Sequence, residues 1–535
     1  MISSFVLRPV HTAALGISAV FMLSAMAHAA PTPPTASQLA PERTAGVPIV
    51  DGQIDRAIAQ LDALADSVMK KSGIPGMSVA VVKDGKTVYA KGFGVRKIGE
   101  DARVDADTVF QLASLSKALG STVVAHQVGE GIIRWKTPVV KHLPWFALDD
   151  PWVTQHVTIG DLFSHRSGLP DLAGEDLINL GYNKQEIIKS LRFLRLKPFR
   201  NSYSYSSMGL TAAAESVAAA SGEDWATLSQ NVLYGPLGMS STSSRYADFA
   251  KRSDRAYAHI RGAHGFEAIY TPQTDSQAPA GGASSSANDM AKWMAMVLQY
   301  GRYQGRRIVA KDALLPAITP QTLTHRPTSA SARSSFYGYG FNVGIQPSGR
   351  VMLSHSGALT EGVATTFELI PSAHVGIVVL SNASPVGAVE ALAVEFTELV
   401  QLGTITRDWY SLYANAMAGM DTPFGELAGQ HPPMQANTGS PPASYTGTYT
   451  NNYFGPITVK DHAGKLLLTI GPQNRKYTLQ PWGKNRFVFP LSTQYEPPGS
   501  VSSADFTMSD TGKGKSLMIE FLNRNGQGTF VRRGN

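Results

Sequence analysis

A serine and a lysine three residues apart, in Leu112-Ala-Ser114-Leu-Ser-Lys117-Ala118, open a run with helical character. On a helix two such residues share one face, so the ammonium reaches the hydroxyl. An unaided hydroxyl is a poor nucleophile, and a close base or cation must help remove its proton. A serine at a helix start also lies beside backbone N–H groups that stabilise an oxyanion. The chemistry this implies is attack on a carbonyl through a covalent intermediate. The pair alone is a weak signal, because the same spacing recurs in Ser67-Val-Met-Lys70, where no partner motif is near.

Two further stretches supply what Ser114 lacks. Tyr203-Ser-Tyr205-Ser-Ser207-Met-Gly209 precedes a helical run. A phenol whose pKa is lowered by a neighbouring ammonium acts as a general base toward serine. Ser354-His355-Ser356-Gly357-Ala358 precedes a pair of strands. A strand edge there offers substrate-pairing backbone and a second oxyanion N–H, with His355 as a polar contact.

Positioning these groups requires a scaffold, and its elements are legible in the spacing of apolar residues. Ile54, Ala57, Ile58, Leu61, Leu64, Ala65 and Val68 follow helical periodicity over 54–71. Met77–Val82 and Thr87–Ala90, joined across Asp84-Gly85, form a β-hairpin. A second strand pair, Ala364–Leu369 and Val375–Leu380, is followed by a helix over Val386–Val400. Helical patterns lie between, at Ser114–Gly129, Ser207–Ser221 and Asn288–Tyr300. Strands at both ends with helices inserted imply an α/β (α+β) fold, a sheet built from distant parts of the chain beside a helical lobe. A cleft forms where such layers meet.

The order and spacing of Ser114/Lys117, Tyr205 and His355–Gly357 resemble those of the class C β-lactamase-like, penicillin-binding-protein-like serine hydrolases, which include D-Ala-D-Ala carboxypeptidases, D-aminopeptidases and esterases. Gly73-Ile-Pro-Gly76, Leu162-Phe-Ser-His165-Arg-Ser-Gly-Leu-Pro-Asp171, Ala280-Gly-Gly282 and Ser286-Ala-Asn-Asp289 agree with it, and the resemblance covers roughly residues 52–402. It implies a β-lactamase/transpeptidase-like fold, an antiparallel sheet flanked by helices. Ser114 would be the nucleophile, Lys117 its activator and Tyr205 the proton shuttle, while the backbone N–H groups of Ser114 and Ala358 would form the oxyanion hole. His355, Gly357 and Ser207 would contact substrate, and His165 would be a turn and packing residue.

Two positions depart from the family's usual pattern. Tyr205-Ser206-Ser207 stands where Tyr-x-Asn is usual, so a hydroxyl replaces an amide against the acyl side chain. His355-Ser356-Gly357 stands where Lys-Thr-Gly is usual, so a fixed cation for a substrate carboxylate is lost. Both pull away from a dedicated β-lactamase.

Composition bounds the rest. The 535 residues carry 47 Lys+Arg against 40 Asp+Glu, a net charge of +7, with 43% hydrophobic residues and no Cys. That excludes disulfide scaffolds, thiolate nucleophiles and Cys-ligated metal, and it gives no case for a nucleic-acid partner. The 13 His are scattered without metal-ligand spacing, and no dinucleotide or Walker fingerprint occurs, so neither metal nor cofactor is expected. The basic stretch from Lys189 to Arg200 reads either as a cleft wall that attracts a carboxylate or as a solvated face.

The first residues form a secretory signal: Arg8, an apolar run from Thr12 to Leu23, and Ala27-His28-Ala29 as cleavage site. Removal near Ala29 leaves a chain with no stable membrane span, periplasmic or secreted. The domains expected are a signal peptide at 1–29, an extended leader at 30–50, a hydrolase domain at 51–420, a Pro-rich linker at 421–444 and a barrel at 445–535. Eight short strand-like runs between Tyr445 and Val531 predict a small antiparallel barrel or sandwich. It resembles the lipocalin-like barrel of some family members, which implies a role in shaping the site or in oligomer assembly. The function expected is an exported serine hydrolase acting on small D-amino-acid peptides or related amides. A carboxylesterase or a β-lactamase is the alternative within that chemistry, and a non-hydrolytic penicillin-binding sensor the alternative outside it.

Overall fold

The helical run expected over 54–71 divides into α1 (Gln53–Ala59) and α2 (Leu61–Ser72) in the computed structural model, which describes residues 45–262, 264–433, 439–491 and 496–534. The expected signal peptide lies outside the described residues, as do most of the leader and the middle of the linker. Gly73 ends α2 in the left-handed region (φ 71°), donating its N–H to the Met69 carbonyl and turning the chain into the sheet. Strands β1 (Gly76–Lys83) and β2 (Lys86–Gly94) follow, with Asp84 and Gly85 both at positive φ, as a tight hairpin requires.

Helix α3 (Ser116–Gly129) carries Lys117, α4 (Glu175–Leu180) and α5 (Ser207–Ser221) build the helical lobe, and α6 (Ala287–Leu298) packs on the sheet. The chain then adds β3 (Thr322–His325), β4 (Ser335–Tyr337), β5 (Asn342–Ile345), β6 (Val351–Leu359), β7 (Val363–Ile370) and β8 (Val375–Ser381). Helices α7 (Ala388–Leu402) and α8 (Trp409–Met417) come next. The sheet is antiparallel and eight-stranded, in the order β2-β1-β8-β7-β6-β5-β4-β3.

The middle strands are buried on both faces, which is why β1 and β8 read as near-continuous apolar runs rather than alternating ones. Met77, Val79, Val81, Ile377 and Val379 pack against α1, α2 and α7. Ala80, Val82, Phe367, Val378 and Leu380 face α3 and α6, where Trp293 meets Phe367 edge-on at 5.0 Å. Strands β3 to β5 are short and lie toward one edge, and no strand is expected there from sequence.

At the C-terminus, β9 (Gly447–Asn451), β10 (Gly455–His462), β11 (Lys465–Ile470), β12 (Arg475–Gly483), β13 (Arg486–Pro490), β14 (Val501–Met508), β15 (Gly514–Ile519) and β16 (Thr529–Arg532) close into a barrel. Each of the eight strand-like runs seen in this part of the sequence overlaps one of these. Alternating inward residues such as Leu466, Leu468 and Ile470 fill the interior with Tyr449, Phe487 and Phe530. The barrel seats against α4. Tyr453 donates its hydroxyl to Asp176 Oδ1 at 2.7 Å and accepts the Gly174 N–H at 3.1 Å, while Tyr182 donates to the Phe454 carbonyl. Part of the expected linker also packs here, since Phe424 donates its N–H to Ser500 Oγ and accepts from Val501 N, each at 2.9 Å. Among the described residues no helix is long and apolar enough to cross a membrane.

Candidate active site

Ser114 sits in a 3₁₀ turn, Ala113–Leu115, immediately ahead of α3. The turn is strained, because Ala113 has φ 48°, a region costly for a residue with a Cβ. Its neighbours hold it there. Thr365 donates to the Leu112 carbonyl at 2.8 Å, Ser116 donates to the Ala113 carbonyl at 2.6 Å, and Ala283 N–H binds Ser116 Oγ at 3.0 Å.

One turn on, Lys117 is fully buried, and its Nζ donates to Ser114 Oγ at 3.1 Å, to the Ala280 carbonyl at 2.9 Å and to Ser207 Oγ at 3.4 Å. Burial pushes this ammonium down to about 7, against an opposing pull from Glu175. The same Nζ lies 4.6 Å from the centre of the Tyr205 ring. The Tyr205 and Ser114 hydroxyls share a hydrogen bond. The three side chains therefore converge, as the geometry of an activated serine requires.

Tyr205 corrects one expectation. Its acidity is not strengthened by the nearby ammonium: burial raises its pKa far above that of a free phenol, and the Ser114 contact only partly opposes this. It is a neutral hydroxyl here, and Lys117 is the group poised to accept a proton. The turn at 165–172 clamps Tyr205 from both sides. Tyr205 N–H binds Asp171 Oδ1 at 3.0 Å, and Leu172 N–H binds the Tyr205 carbonyl at 2.8 Å. His165, expected as a turn and packing residue, has φ 57°, accepts Ser206 N–H at 3.2 Å and lays its ring 4.5 Å from that of Tyr205.

His355 is the second correction. Ser356 and Ala358 of β6 line the cleft, whereas His355, nearer the strand's start, does not and is 4% exposed. Its Nδ1 donates to the Ser356 carbonyl at 2.7 Å and its Nε2 accepts the Tyr337 hydroxyl at 2.8 Å. Burial, with Lys117 nearby, pushes it down to about 3, so it is neutral and backs the site instead of meeting substrate. Ser207 lines the cleft, but its hydroxyl is committed: it donates to Glu175 Oε1 at 3.0 Å while accepting from Lys117. None of the basic residues from Lys189 to Arg200 lines the cleft; Lys197 pairs with Asp171 and Arg200 with Asp161. The second Ser-x-x-Lys, Ser67 and Lys70, lies exposed on α2.

Pairing of β5 with β6 ends at Ser354, so beyond it β6 presents a free edge toward the Ser114 turn. Gly357 permits this approach, since a Cβ there would stand 2.4 Å from the Leu112 carbonyl oxygen and 2.9 Å from Ser114 N. Gly357→Ala is expected to displace that turn, lowering kcat/KM at least about tenfold with the secondary structure retained. Steady-state kinetics and circular dichroism on one preparation check it.

The cleft encloses about 850 Å³. One wall carries Ser114, Tyr205, Ser207 and Ala358; the other carries Pro423, Pro497 and Arg524 from the C-terminal part. Glu175, which sequence reasoning missed, starts α4 and lines it. Burial raises its pKa, and only its place just beyond the Leu-Pro-Asp turn hinted at a role. Among the described residues no cluster of His, Asp or Glu is arranged to hold a metal ion.

Comparison with known proteins agrees with this architecture. Two solved structures share the fold: the octameric penicillin-binding protein homologue from Pyrococcus abyssi (TM-score 0.56, 20% identity, 89% of this chain and 100% of that one) and a class C beta lactamase from Rhodobacter sphaeroides (TM-score 0.52, 21% identity, 64% and 98%). Unguisins hydrolase ungD' of Aspergillus campestris is 27% identical over 409 residues, 72% of this chain and 73% of the relative. The D-alanyl-D-alanine-carboxypeptidase/endopeptidase AmpH of Escherichia coli is 24% identical over 347 residues, 64% and 88% respectively. Residues 432–529 match a domain of unknown function, DUF3471. The Beta-lactamase family matches residues 61–400, more than half of the chain and every strand of the large sheet, so this protein belongs to the beta-lactamase family as a serine hydrolase.

Proposed function

We propose that this chain is an exported hydrolase that cleaves amide bonds of small D-amino-acid peptides and related amides through an acyl-enzyme on Ser114. The observation that carries the reading is Ser114 Oγ 3.1 Å from a lysine whose pKa is pushed to about 7, at the floor of an open cleft. Neutral Lys117 takes the Ser114 proton as Oγ bonds to the carbonyl carbon. The carbonyl oxygen becomes an oxyanion held by the Ser114 and Ala358 N–H groups. The Tyr205 hydroxyl passes a proton to the leaving nitrogen, and that proton is replaced from Lys117. Water then attacks the ester, releasing the acid and restoring Ser114.

One relative is by name a D-alanyl-D-alanine-carboxypeptidase/endopeptidase, and another is by name a hydrolase of unguisins. Within the cleft, Glu361 stands just past Ala358 and is 4% exposed. Burial pushes its acid up to about 7, and among the described residues no cation pairs with it. Arg524 acts on Glu175 and Glu496 instead. Glu361 suits the free ammonium of an unblocked substrate. Carboxylesterase activity is a second reading, favoured by one observation: the Ser207 hydroxyl is taken up by Glu175, leaving no side-chain amide at that position to select a peptide.

Turnover of D-Ala-p-nitroanilide, p-nitrophenyl acetate and nitrocefin tests these readings together. The anilide is expected to turn over repeatedly. Glu361→Gln is expected to raise its KM about tenfold while leaving N-acetyl-D-Ala-p-nitroanilide unchanged. Stoichiometric labelling by a fluorescent penicillin without turnover of any substrate would replace the hydrolase reading with that of a stalled sensor.

A further inference from the structure

Behind the strand that carries Ala358 lies a second cavity of about 360 Å³, enclosed by β5, β6, β7, α7 and α8. Two glutamates reach it, Glu368 from β7 and Glu390 from α7, and they are 6% and 7% exposed. Thr397 donates to Glu368 Oε2 at 2.7 Å, and the Ser356 hydroxyl contacts Glu390. Glu390 Oε2 has no partner. A third carboxylate in the wall, Glu398, is already satisfied by Thr406 N–H at 2.8 Å, Thr406 Oγ1 at 2.7 Å and Trp409 Nε1 at 2.8 Å.

No Lys, Arg or His lines this cavity among the described residues. Two buried acids without a cation are costly as carboxylates, and burial pushes both up to about 7. A cationic ligand is the species that would let both ionise. The wall also includes the ring of Tyr413, whose face attracts a cation and packs against a short carbon chain; the Trp409 ring already carries the Arg407 guanidinium, 4.9 Å from its centre. A bound metal fits poorly, since among the described residues no group of three or more His, Asp or Glu is placed to hold one.

We propose that this cavity is a binding site for a small organic cation, a primary amine of a few carbons, with its ammonium between Glu368 and Glu390 and its chain against Tyr413. The site is distinct from the catalytic cleft and shares only the Ser356 wall with it. The proposal does not depend on the chemistry assigned to Ser114.

Calorimetric titration of the full chain carrying Ser114→Ala tests it without turnover, using n-butylamine and its neutral counterpart n-butanol. Saturable binding of the amine and none of the alcohol is expected. Glu390→Gln and Glu368→Gln, each added separately, are expected to weaken amine binding at least about tenfold. Circular dichroism establishes that each variant folds, and the two glutamates give independent chances should one replacement not. Absent amine binding, equal binding of the alcohol, or unaltered binding in both cavity variants would overturn the proposal.

Discussion

Ser114→Ala abolishes covalent labelling by a fluorophosphonate or fluorescent penicillin and lowers kcat by about 10,000-fold or more. Removing the nucleophile from a concerted set of groups typically leaves only the contribution of binding and the oxyanion donors. The fold should be untouched, because among the described residues Ser114 Oγ is tied only to Lys117 and Tyr205. Mass spectrometry of the intact protein after labelling, beside the melting curve of the variant, reads both halves. Labelling that survives the change would move the nucleophile elsewhere, and Ser207 would be the next hydroxyl to examine, since it also accepts from Lys117.

Lys117→Ala should be nearly as severe, costing on the order of 1,000-fold or more in kcat/KM, because the serine then has no base within reach. The pH profile of the unmodified enzyme carries the sharper information. Burial places the Lys117 pKa near 7, so the side chain is charged below that pH and free above it. Activity should therefore fall about tenfold for each pH unit below 7 and level off above it. A Tyr205 base would put the same limb far into the alkaline range, since burial raises that phenol instead of lowering it. The kcat/KM profile against pH, fitted for one ionisation, distinguishes the two groups.

How far these features could be read without coordinates depended on their physical origin. Val79–Val82 and Val375–Leu380 announced themselves because central strands bury both faces and so must be apolar throughout. The eight barrel strands were visible because inward and outward residues alternate over fixed short lengths. Strands such as Ser335–Tyr337 were not, being three or four residues long and lying toward an edge of the sheet. The convergence of Ser114, Lys117 and Tyr205 followed from motif order. The direction of the Tyr205 shift did not, because desolvation is a property of everything packed around the ring and here outweighs the single ammonium.

His355 illustrates a different limit. Whether a strand residue meets solvent depends on what packs over it, and His355 is covered by Tyr337, from a short strand that was not foreseen. Glu175 was missed because an acid after a glycine reads as an ordinary helix beginning. Its importance comes from the distant residues it meets, Ser207 and, through the charge field, Lys117.

The contact between Tyr453 and Asp176 has a consequence for how such a chain can diverge. Asp176 adjoins Glu175, burial holds its acid at about 6, and its main polar partner comes from the barrel. A replacement at Tyr453 would strand a carboxyl beside the catalytic groups, so a change in one module is felt in the other. In this chain the barrel therefore completes the polar frame beside the catalytic groups and is more than an appendage.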